Sequence, residues 1–459
     1  MSETSELFIE KSTSKAADLD HRKKINFNIG RYNAVVPKGK EQFVDEHLAR
    51  ERAKNTKWRA LETLDQQLER FETNFTSRGG KVLWAENAEQ AMAEIIKICE
   101  AKNCKTLVKS KSMVTEEIHL NNFLEENGIE SVETDLGEYI QQLDGEAPYH
   151  IVTPAMHKSK EDVARLFADK LGVPSGLSPE ELTQVARKLL REKYVQAEVG
   201  VSGANFILPD VGGIAITENE GNARLSCSMP KTHIVIVGIE KVLPSINDLS
   251  LFWPLLSTYG TGQKITVYNT IITGPRQVNE TDGPEEMYVI LLDNGRTNLL
   301  ANPTTREALY CIRCGACLNA CPVYKNIGGH SYETTYSGPI GKVITPYLRG
   351  MNEYKHLSYS SSLCGNCTEV CPVRINLHEL LLDNRHEAVL QGGSTLAERI
   401  AWKAWKTSSL NRKMMNMGNA KLKNWVVNKV FKGWTAHRND LEFSAKTFNE
   451  MWQENRTQL

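Results

Sequence analysis

Residues 311–322 read CIRCGACLNACP, a stretch in which four cysteines follow the pattern Cys-x2-Cys-x2-Cys-x3-Cys-Pro. This spacing is typical of bacterial ferredoxins. In those proteins three closely spaced thiolates bind one face of a cubane cluster, and the cysteine before proline binds a second cluster. The pattern therefore predicts an iron–sulfur domain with two clusters, and it requires a second motif elsewhere in the chain.

A second motif stands fifty residues further on, where SSLCGNCTEVCPV at 361–373 repeats CIRCGACLNACPV at 311–323. In a two-cluster ferredoxin, each cluster takes three cysteines from one motif and its fourth cysteine from the other. We therefore expect two sets of iron ligands. These are Cys311, Cys314, Cys317 and Cys371 for the first 4Fe-4S cluster, and Cys321, Cys364 and Cys367 for the second.

The second set is one thiolate short, because Ser361 occupies the place that Cys311 has in the first motif. Three explanations are open: a serine oxygen or a water as the fourth ligand, a 3Fe-4S cluster that needs only three thiolates, or a distant ligand such as Cys227 or His330. We favour a cubane with a non-thiolate ligand, whose potential would differ from that of the first cluster. A pair of zinc sites is a less favoured alternative. Zinc sites typically take four ligands in two pairs, whereas the motif here supplies three closely spaced cysteines followed by a Cys-Pro.

The composition describes a globular chain of 459 residues with 24% charged residues and a formal net charge of -1, which argues against nucleic acid as a partner. Seven of the ten cysteines lie between 311 and 371, and in a reducing cytoplasm they are expected to bind metal rather than to form disulfides. No apolar run approaches the about 18 residues that span a bilayer. The beginning of the chain lacks the features of a secretory signal, so we expect a cytoplasmic protein.

The pattern along the chain predicts four regions. They are a helical arm at 1–75, an α/β domain at 76–300, a small α-helical ferredoxin-like domain with two clusters at 301–388, and a basic helical region at 389–459. The α/β domain is predicted because short apolar strands alternate with amphipathic helices, which indicates a largely parallel sheet. The predicted strands include 82–84, 106–108, 131–134 and 151–152, and the predicted helices include 88–101 and 113–126. Capping boxes are expected to begin helices at Ser159 and Ser178.

The chain resembles the lactate utilization protein B family, a family of iron–sulfur proteins. The resemblance covers nearly the whole chain and is carried by KSKSMVTEEIHLNNFLEENGIESVETDLGEYI at 109–140, NEGNARL at 219–225, GIEKVLP at 238–244 and the two cysteine motifs. It implies a role in oxidising L-lactate to pyruvate beside a cysteine-rich partner subunit and a small partner with a LUD-type domain. It also implies an α/β fold similar to sugar-phosphate isomerases and CoA-transferases, and a serine at 361 as a family feature.

The oxidation site is harder to predict, because no GxGxxG lies between a strand and a helix and no P-loop is present to bind nicotinamide or flavin. Lactate gives up two electrons and clusters accept them singly, so we expect this chain to conduct electrons from an oxidation site that is shared with a partner or belongs to the partner alone. The candidate substrate residues are Lys109, Ser110, Lys111, Ser112 and Asn222, and the candidate catalytic residues are Glu220, Arg224 and His233. Each candidate also has a purely structural interpretation. The lysines could be solvated surface residues, Arg224 could form a structural ion pair, and His233 could be a hydrogen-bonded strand residue.

Two other functions are open: oxidation of another 2-hydroxy acid such as glycolate, and redox sensing by a metabolite-binding protein. The C-terminal region adds a further question. Residues 399–438 contain ten Lys or Arg and no Asp or Glu, interleaved with Trp402, Trp405, Trp425 and Trp434. Such a region can bind an anionic membrane surface and bring the clusters near a quinone pool. A helical lid whose tryptophans cover the cluster domain is the alternative, and on the sequence alone we favour it.

Overall fold

A computed structural model describes residues 2–417, 419–430, 432 and 439–456. The chain forms two compact units, residues 1–388 and 389–459. Trp434 and Arg438 of the basic region lie outside the described residues. Among the residues that are described, no helix combines the length and the apolar character needed to cross a membrane.

Nine strands in the first unit form two sheets. They are β1 Lys81–Ala85, β2 Thr106–Lys109, β3 Glu130–Glu133, β4 Val199–Ser202, β5 Phe206–Leu208, β6 Gly213–Glu218, β7 Thr232–Gly238, β8 Tyr268–Ile272 and β9 Glu286–Leu292. Six of them form a sheet in the order β1-β9-β7-β4-β2-β3, in which every pairing is parallel. The other three form the antiparallel sheet β5-β6-β8. Strand β7 is buried along its whole length, which explains its nearly continuous apolar sequence.

Helices cover the parallel sheet and build the rest of the first unit. Those of the arm and the α/β domain are α1 Glu3–Ala17, α2 Leu19–Lys40, α3 Glu46–Glu62, α4 Leu64–Thr76, α5 Ala88–Ala101, α6 Met113–Glu117, α7 Leu120–Glu126, α8 Leu136–Asp144, α9 Lys160–Leu171, α10 Pro179–Gln196, α11 Asn222–Ser228, α12 Leu249–Thr261 and α13 Arg296–Ala301. Those of the cluster domain are α14 Ala316–Ala320, α15 Tyr324–Ile327, α16 Gly338–Arg349, α17 Met351–Tyr354, α18 His356–Tyr359, α19 Asn366–Glu369 and α20 Leu377–Leu390. Short 3₁₀ turns lie at Ile239–Lys241, Ile246–Asp248, Thr305–Tyr310 and His330–Tyr332.

The predicted mixed α/β domain with a parallel sheet is confirmed, and α5 has the predicted bounds. Both capping boxes are also confirmed, at Ser159 and Ser178. The helix predicted at 113–126 is instead two helices, because the chain turns between them with His119 at φ 54°.

The strand predicted at 151–152 is wrong. The backbone amides of Val152 and Thr153 point at His150 Nδ1, at 3.1 and 3.3 Å, and Lys111 Nζ donates to the Val152 carbonyl at 3.0 Å. Side chains therefore satisfy backbone groups that a neighbouring strand would otherwise bind.

The N-terminal helices are an integral part of the first unit, whereas the sequence suggested an appended arm. Helix α1 packs against α15 and α17 of the cluster domain, and α2 packs against α12. Lys57 of α3 is fully buried and donates to the Val242 carbonyl at 3.2 Å. Arg50 of the same helix donates to the Cys371 carbonyl at 2.9 Å. The arm thus connects the α/β domain to the second cysteine motif.

The second unit is helical, as predicted. Its helices after α20 are α21 Leu396–Leu410, α22 Arg412–Asn416, α23 Ala420–Val430 and α24 Phe448–Arg456. Trp402, Trp405 and Trp425 are exposed, so their indoles are available on the surface beside the lysines and arginines.

Candidate functional site

The seven cysteines of the two motifs form two neighbouring groups. One small cavity is lined by Ile151 and by four of the cysteines, Cys311, Cys314, Cys317 and Cys371. The remaining three lie close enough to interact electrostatically: Cys321, Cys364 and Cys367. Each group thus combines cysteines from both motifs, which is the arrangement that crossed ligation requires.

The sequence repeat is also a repeat of backbone conformation. Arg313 and Leu363 both adopt the left-handed region, with φ of 60° and 54°. Gly315 and Gly365 do the same, with φ of 81° and 78°, and a short helix begins directly after each glycine. The two motifs therefore wrap around their cysteines in the same way.

Ser361 has the same local geometry as its counterpart Cys311. The Leu363 amide lies 3.2 Å from Ser361 Oγ, and the Arg313 amide lies 3.4 Å from Cys311 Sγ. Relative to the backbone, the half-buried serine presents an oxygen where the first motif presents a sulfur. The two distant candidates have contacts elsewhere: Cys227 Sγ lies 3.2 Å from His233, and His330 Nε2 lies 2.7 Å from the Ala147 carbonyl oxygen.

The chemistry of the cysteine groups fits iron–sulfur clusters. Burial raises the pKa of the Cys371 thiol to about 12 and that of Cys367 to about 11. Burial and the neighbouring cysteines also raise the pKa of Cys314 and Cys317. Thiols gathered in this way become thiolates only beside strong positive charge, and a cationic iron centre supplies that charge.

Hydrogen-bond donors and cations surround both groups. The amides of Tyr324 and Ile375 point at Cys321 Sγ and Cys371 Sγ, at 3.5 and 3.3 Å. Lys342 is buried beside the second group, and Lys241 Nζ donates to the carbonyl of Cys311 in the first group at 3.4 Å. Amide donors and positive charge both favour reduction of an anionic cluster.

A cavity of about 500 Å³ lies next to the first cysteine group. It lies at the carboxyl ends of the neighbouring strands β2 and β4. From β2 the chain adds β3 on one side, and from β4 it adds β7 and β9 on the other, so the strand order reverses between β2 and β4. α/β proteins commonly bind ligands at such a point. Cys314 and Arg313 form part of its wall, together with Tyr32 of α2 and Tyr336 of the cluster domain. The cavity is therefore built jointly by the arm, the α/β domain and the cluster domain.

Five of the residues predicted from the sequence line this cavity: Ser110, Lys111, Ser112, Glu220 and Asn222. Three do not. Lys109 is fully buried beside Glu133 and Glu116, Arg224 lies over the ring of Tyr268, and His233 is buried on β7 with its Nε2 2.8 Å from Ser202 Oγ. Burial lowers the pKa of His233 to about 3, so its imidazole is neutral.

The charged groups in the cavity interact with one another. Lys111 Nζ lies 3.4 Å from Asp135, and Glu220 accepts a hydrogen bond from the Leu136 amide at 3.1 Å. Burial and the nearby Asp135 carboxylate raise the pKa of Glu220, while Lys111 opposes that shift. Burial opposes the charged form of Lys111, but its acidic neighbours outweigh this effect and raise its pKa. The cavity therefore contains a cation beside a carboxyl group that binds a proton more readily than a free glutamate does.

Sequence reasoning missed several residues of this cavity. Asp135 lies two residues beyond the end of β3, as Lys111 does beyond the end of β2, so its position at the carboxyl end of a parallel strand was a usable signal. Lys241, Arg313 and Tyr32 carried no such signal, because their place in the cavity depends on how distant segments fold together.

A buried ion-pair network supports the cavity wall. Arg296 donates to both carboxylate oxygens of Glu117, at 2.9 and 2.8 Å, and to Glu240 at 2.7 Å. Tyr336, which lines the cavity, donates to Glu117 at 2.6 Å.

Burial disfavours ionisation of Glu240, but Arg296 and other cations outweigh burial and lower its pKa to about 2, from 4.5. Because the folded-state pKa lies below the unfolded value, this ionised carboxylate stabilises the fold above about pH 4.5. That contribution is lost as the pH falls toward 2.

Comparison with known proteins agrees with this architecture. Residues 68–292 match the LUD domain family, and residues 307–375 match the 4Fe-4S dicluster domain family. The chain is thus a LUD-domain protein with an attached 4Fe-4S dicluster domain.

The curated relatives of the chain identify its family more specifically than the two domain matches do. Lactate utilization protein B of Bacillus velezensis is 46% identical over 372 residues, which cover 81% of this chain and 78% of that protein. Lactate utilization protein B of Bacillus subtilis is 46% identical over 78% of this chain and 75% of that protein. The chain belongs to the lactate utilization protein B family. A solved DUF162 family protein from Deinococcus radiodurans aligns with 50% of this chain and 98% of its own, at 13% identity and a TM-score of 0.27.

Proposed function

We propose that this chain is the iron–sulfur electron-transfer subunit of a system that oxidises L-lactate to pyruvate. The observation that supports this most directly is that Cys314 belongs both to the wall of the large cavity and to the first cysteine group. A small organic acid in that cavity would lie next to a redox centre. Iron–sulfur clusters, when bound, accept and release electrons one at a time. The names of the curated relatives support lactate as the substrate.

In this proposal the cysteines hold two clusters, with ligand sets that follow the two groups. The first set is Cys311, Cys314, Cys317 and Cys371, and the second is Cys321, Cys364 and Cys367 with Ser361 in the fourth position. The first group is largely buried, whereas Cys364 of the second group is exposed. We therefore expect electrons to leave this chain from the second group and to pass to a partner subunit. Our candidate for that partner is a cysteine-rich protein of the same system.

The residues of the cavity would bind and orient the acid. Lys111 follows the carboxyl end of β2 and lines the cavity together with Ser110 and Ser112, so these three residues would bind the carboxylate. Glu220 would accept the proton of the 2-hydroxyl group, since its raised pKa brings it closer to the pH at which a general base is effective. Asn222, at the start of α11, would donate a hydrogen bond to the same ligand.

The test uses the assembled system, in which lactate-driven reduction of a dye is measured after anaerobic co-purification with the native partners. Lys111→Met should raise KM for lactate by about 10- to 100-fold, because a charge-assisted hydrogen bond contributes about 1.5–3 kcal/mol. Lys97→Met is the matched control, since the Lys97 side chain is 76% exposed and lies on the outer helix α5. It should leave KM unchanged.

Iron content is measured in both variants to separate substrate binding from cluster loss. Unchanged lactate kinetics in Lys111→Met, with full iron content, would refute the proposed substrate site. Faster turnover of glycolate than of lactate would support oxidation of another 2-hydroxy acid. No turnover of any such acid by the complete system would support a redox-sensing role instead.

A further inference from the structure

A second cluster of metal-binding side chains lies apart from the cysteines. The loop between α8 and α9 carries Glu146 and His157, and His330 of the cluster domain faces them. One ligand atom from each of the three residues lies within 4.8 Å of the other two. Glu146 and His330 also line one surface cavity and His157 lines another, so ions can reach the group from solvent.

The three side chains are held in place by contacts with their surroundings. His330 Nε2 lies 2.7 Å from the Ala147 carbonyl oxygen, and donation of its proton there leaves Nδ1 with a free lone pair. The ring of Tyr149 stacks on that of His157 at 4.4 Å. His157 Nδ1 is buried and has no hydrogen-bond partner among the described residues. Backbone carbonyls that orient a histidine in this way are a common feature of metal sites.

Two of the ligand atoms already face each other. Glu146 Oε2 lies 3.0 Å from His157 Nε2, and a divalent ion that displaces the proton between them would bind both atoms. Lys158 contacts Glu146 at 2.9 Å but also pairs with Asp144, so it keeps a partner when Glu146 binds an ion.

We propose that Glu146, His157 and His330 form a binding site for a divalent first-row transition-metal ion, with Zn²⁺ as the representative ion. Two imidazole nitrogens and one carboxylate oxygen are a donor set that zinc commonly adopts, with a water completing the tetrahedron.

The ion would join the 144–158 loop to the cluster domain. The segment between the two loop ligands includes Ile151 and Thr153, which line the large cavity, and Ile151 also lines the small cavity of the first cysteine group. Metal binding would therefore hold in place a loop that contributes to the walls of both cavities.

The experiment uses tag-free protein with its clusters reconstituted anaerobically, so that the motif cysteines are occupied by iron. After equilibrium dialysis against micromolar Zn²⁺, zinc and iron are measured together by mass spectrometry. We expect one additional zinc per chain in the wild type. The double variant His157→Gln, His330→Gln should lose that zinc and keep its iron, while the control His47→Ala, at an exposed helical position, should keep both.

Hydrogen–deuterium exchange gives a second readout. Zinc should slow exchange at residues 146–157 in the wild type and should have no such effect in the double variant. Absence of zinc uptake by the iron-loaded wild type, or equal uptake by the double variant at full iron content, would overturn the proposal.

Discussion

The two repeated glycines of the cysteine motifs allow a matched comparison. Gly315 and Gly365 have nearly the same backbone conformation, with φ of 81° and 78°. Their surroundings differ. A Cβ at 315 would lie 3.0 Å from Val152, 3.2 Å from Ile151 and 3.4 Å from His150, whereas a Cβ at 365 would meet nothing within 4 Å. Substitution by alanine therefore separates backbone strain from steric conflict with the loop.

The expected costs follow from these contacts. Left-handed backbone costs an L-residue about 1–2 kcal/mol, and both Gly315→Ala and Gly365→Ala should incur that cost. At position 315 the methyl group must also displace closely packed side chains, which typically costs about 1–3 kcal/mol. Gly315→Ala should thus lower the free energy of unfolding by about 1–3 kcal/mol more than Gly365→Ala does.

The assay is anaerobic guanidinium unfolding of iron-loaded protein, followed by circular dichroism and by the visible absorption of the clusters. The Gly315→Ala variant should unfold at a clearly lower denaturant concentration and should also show faster hydrogen exchange at residues 150–152. Equal midpoints for the two variants would refute the reasoning, because the loop would then exert no steric pressure on the first motif.

Three further outcomes are expected. Ser361→Cys should complete the second ligand set, so that electron paramagnetic resonance of the reduced protein changes for one cluster only and iron loss on dilution slows. Arg296→Met should destabilise the fold by about 3–5 kcal/mol at pH 8, because it leaves Glu117 buried without its cation and Glu240 with only Arg313, at 3.8 Å, and Lys241. In thermal unfolding the loss of stability relative to the wild type should be smaller at pH 5.5, since the unpaired Glu117 carboxyl then becomes protonated. Because Trp402, Trp405 and Trp425 are exposed in the basic C-terminal region, we now expect membrane binding instead of the lid. Liposome flotation at low salt should show binding to anionic but not neutral vesicles, and removal of residues 389–459 should abolish it.

Several features of the fold could be predicted because they depend on local chemistry. The cysteine spacing, the offset repeat and the serine at 361 are readable without any tertiary information, since consecutive ligands of one cluster lie within a few residues of one another. The capping boxes at Ser159 and Ser178 depend on contacts over three residues and were likewise predictable. The strand predicted at 151–152 was wrong, because the apolar residues of this segment line two cavities and are not part of a sheet.

The candidate substrate residues show where sequence patterns stop being informative. Lys109 and Lys111 are two residues apart at the end of the same strand, yet Lys109 is buried in an ion-pair group and Lys111 reaches the cavity. Alternation along the strand would place both on one face, and only the turn at the end of β2 separates them. His233 is enclosed by Ser202 and Cys227, which come from other elements.

The sequence by itself determined that this chain has two cysteine motifs of the ferredoxin type and an α/β domain, because ligand spacing and hydrophobic periodicity are local properties. Only the tertiary structure decided that Cys314 lies in the wall of a large cavity, that the N-terminal arm is part of that wall, and that His330 faces Glu146 and His157. The residues that meet at those places are far apart in the chain. Their contacts are set by how strands, loops and helices pack, which no short-range pattern records.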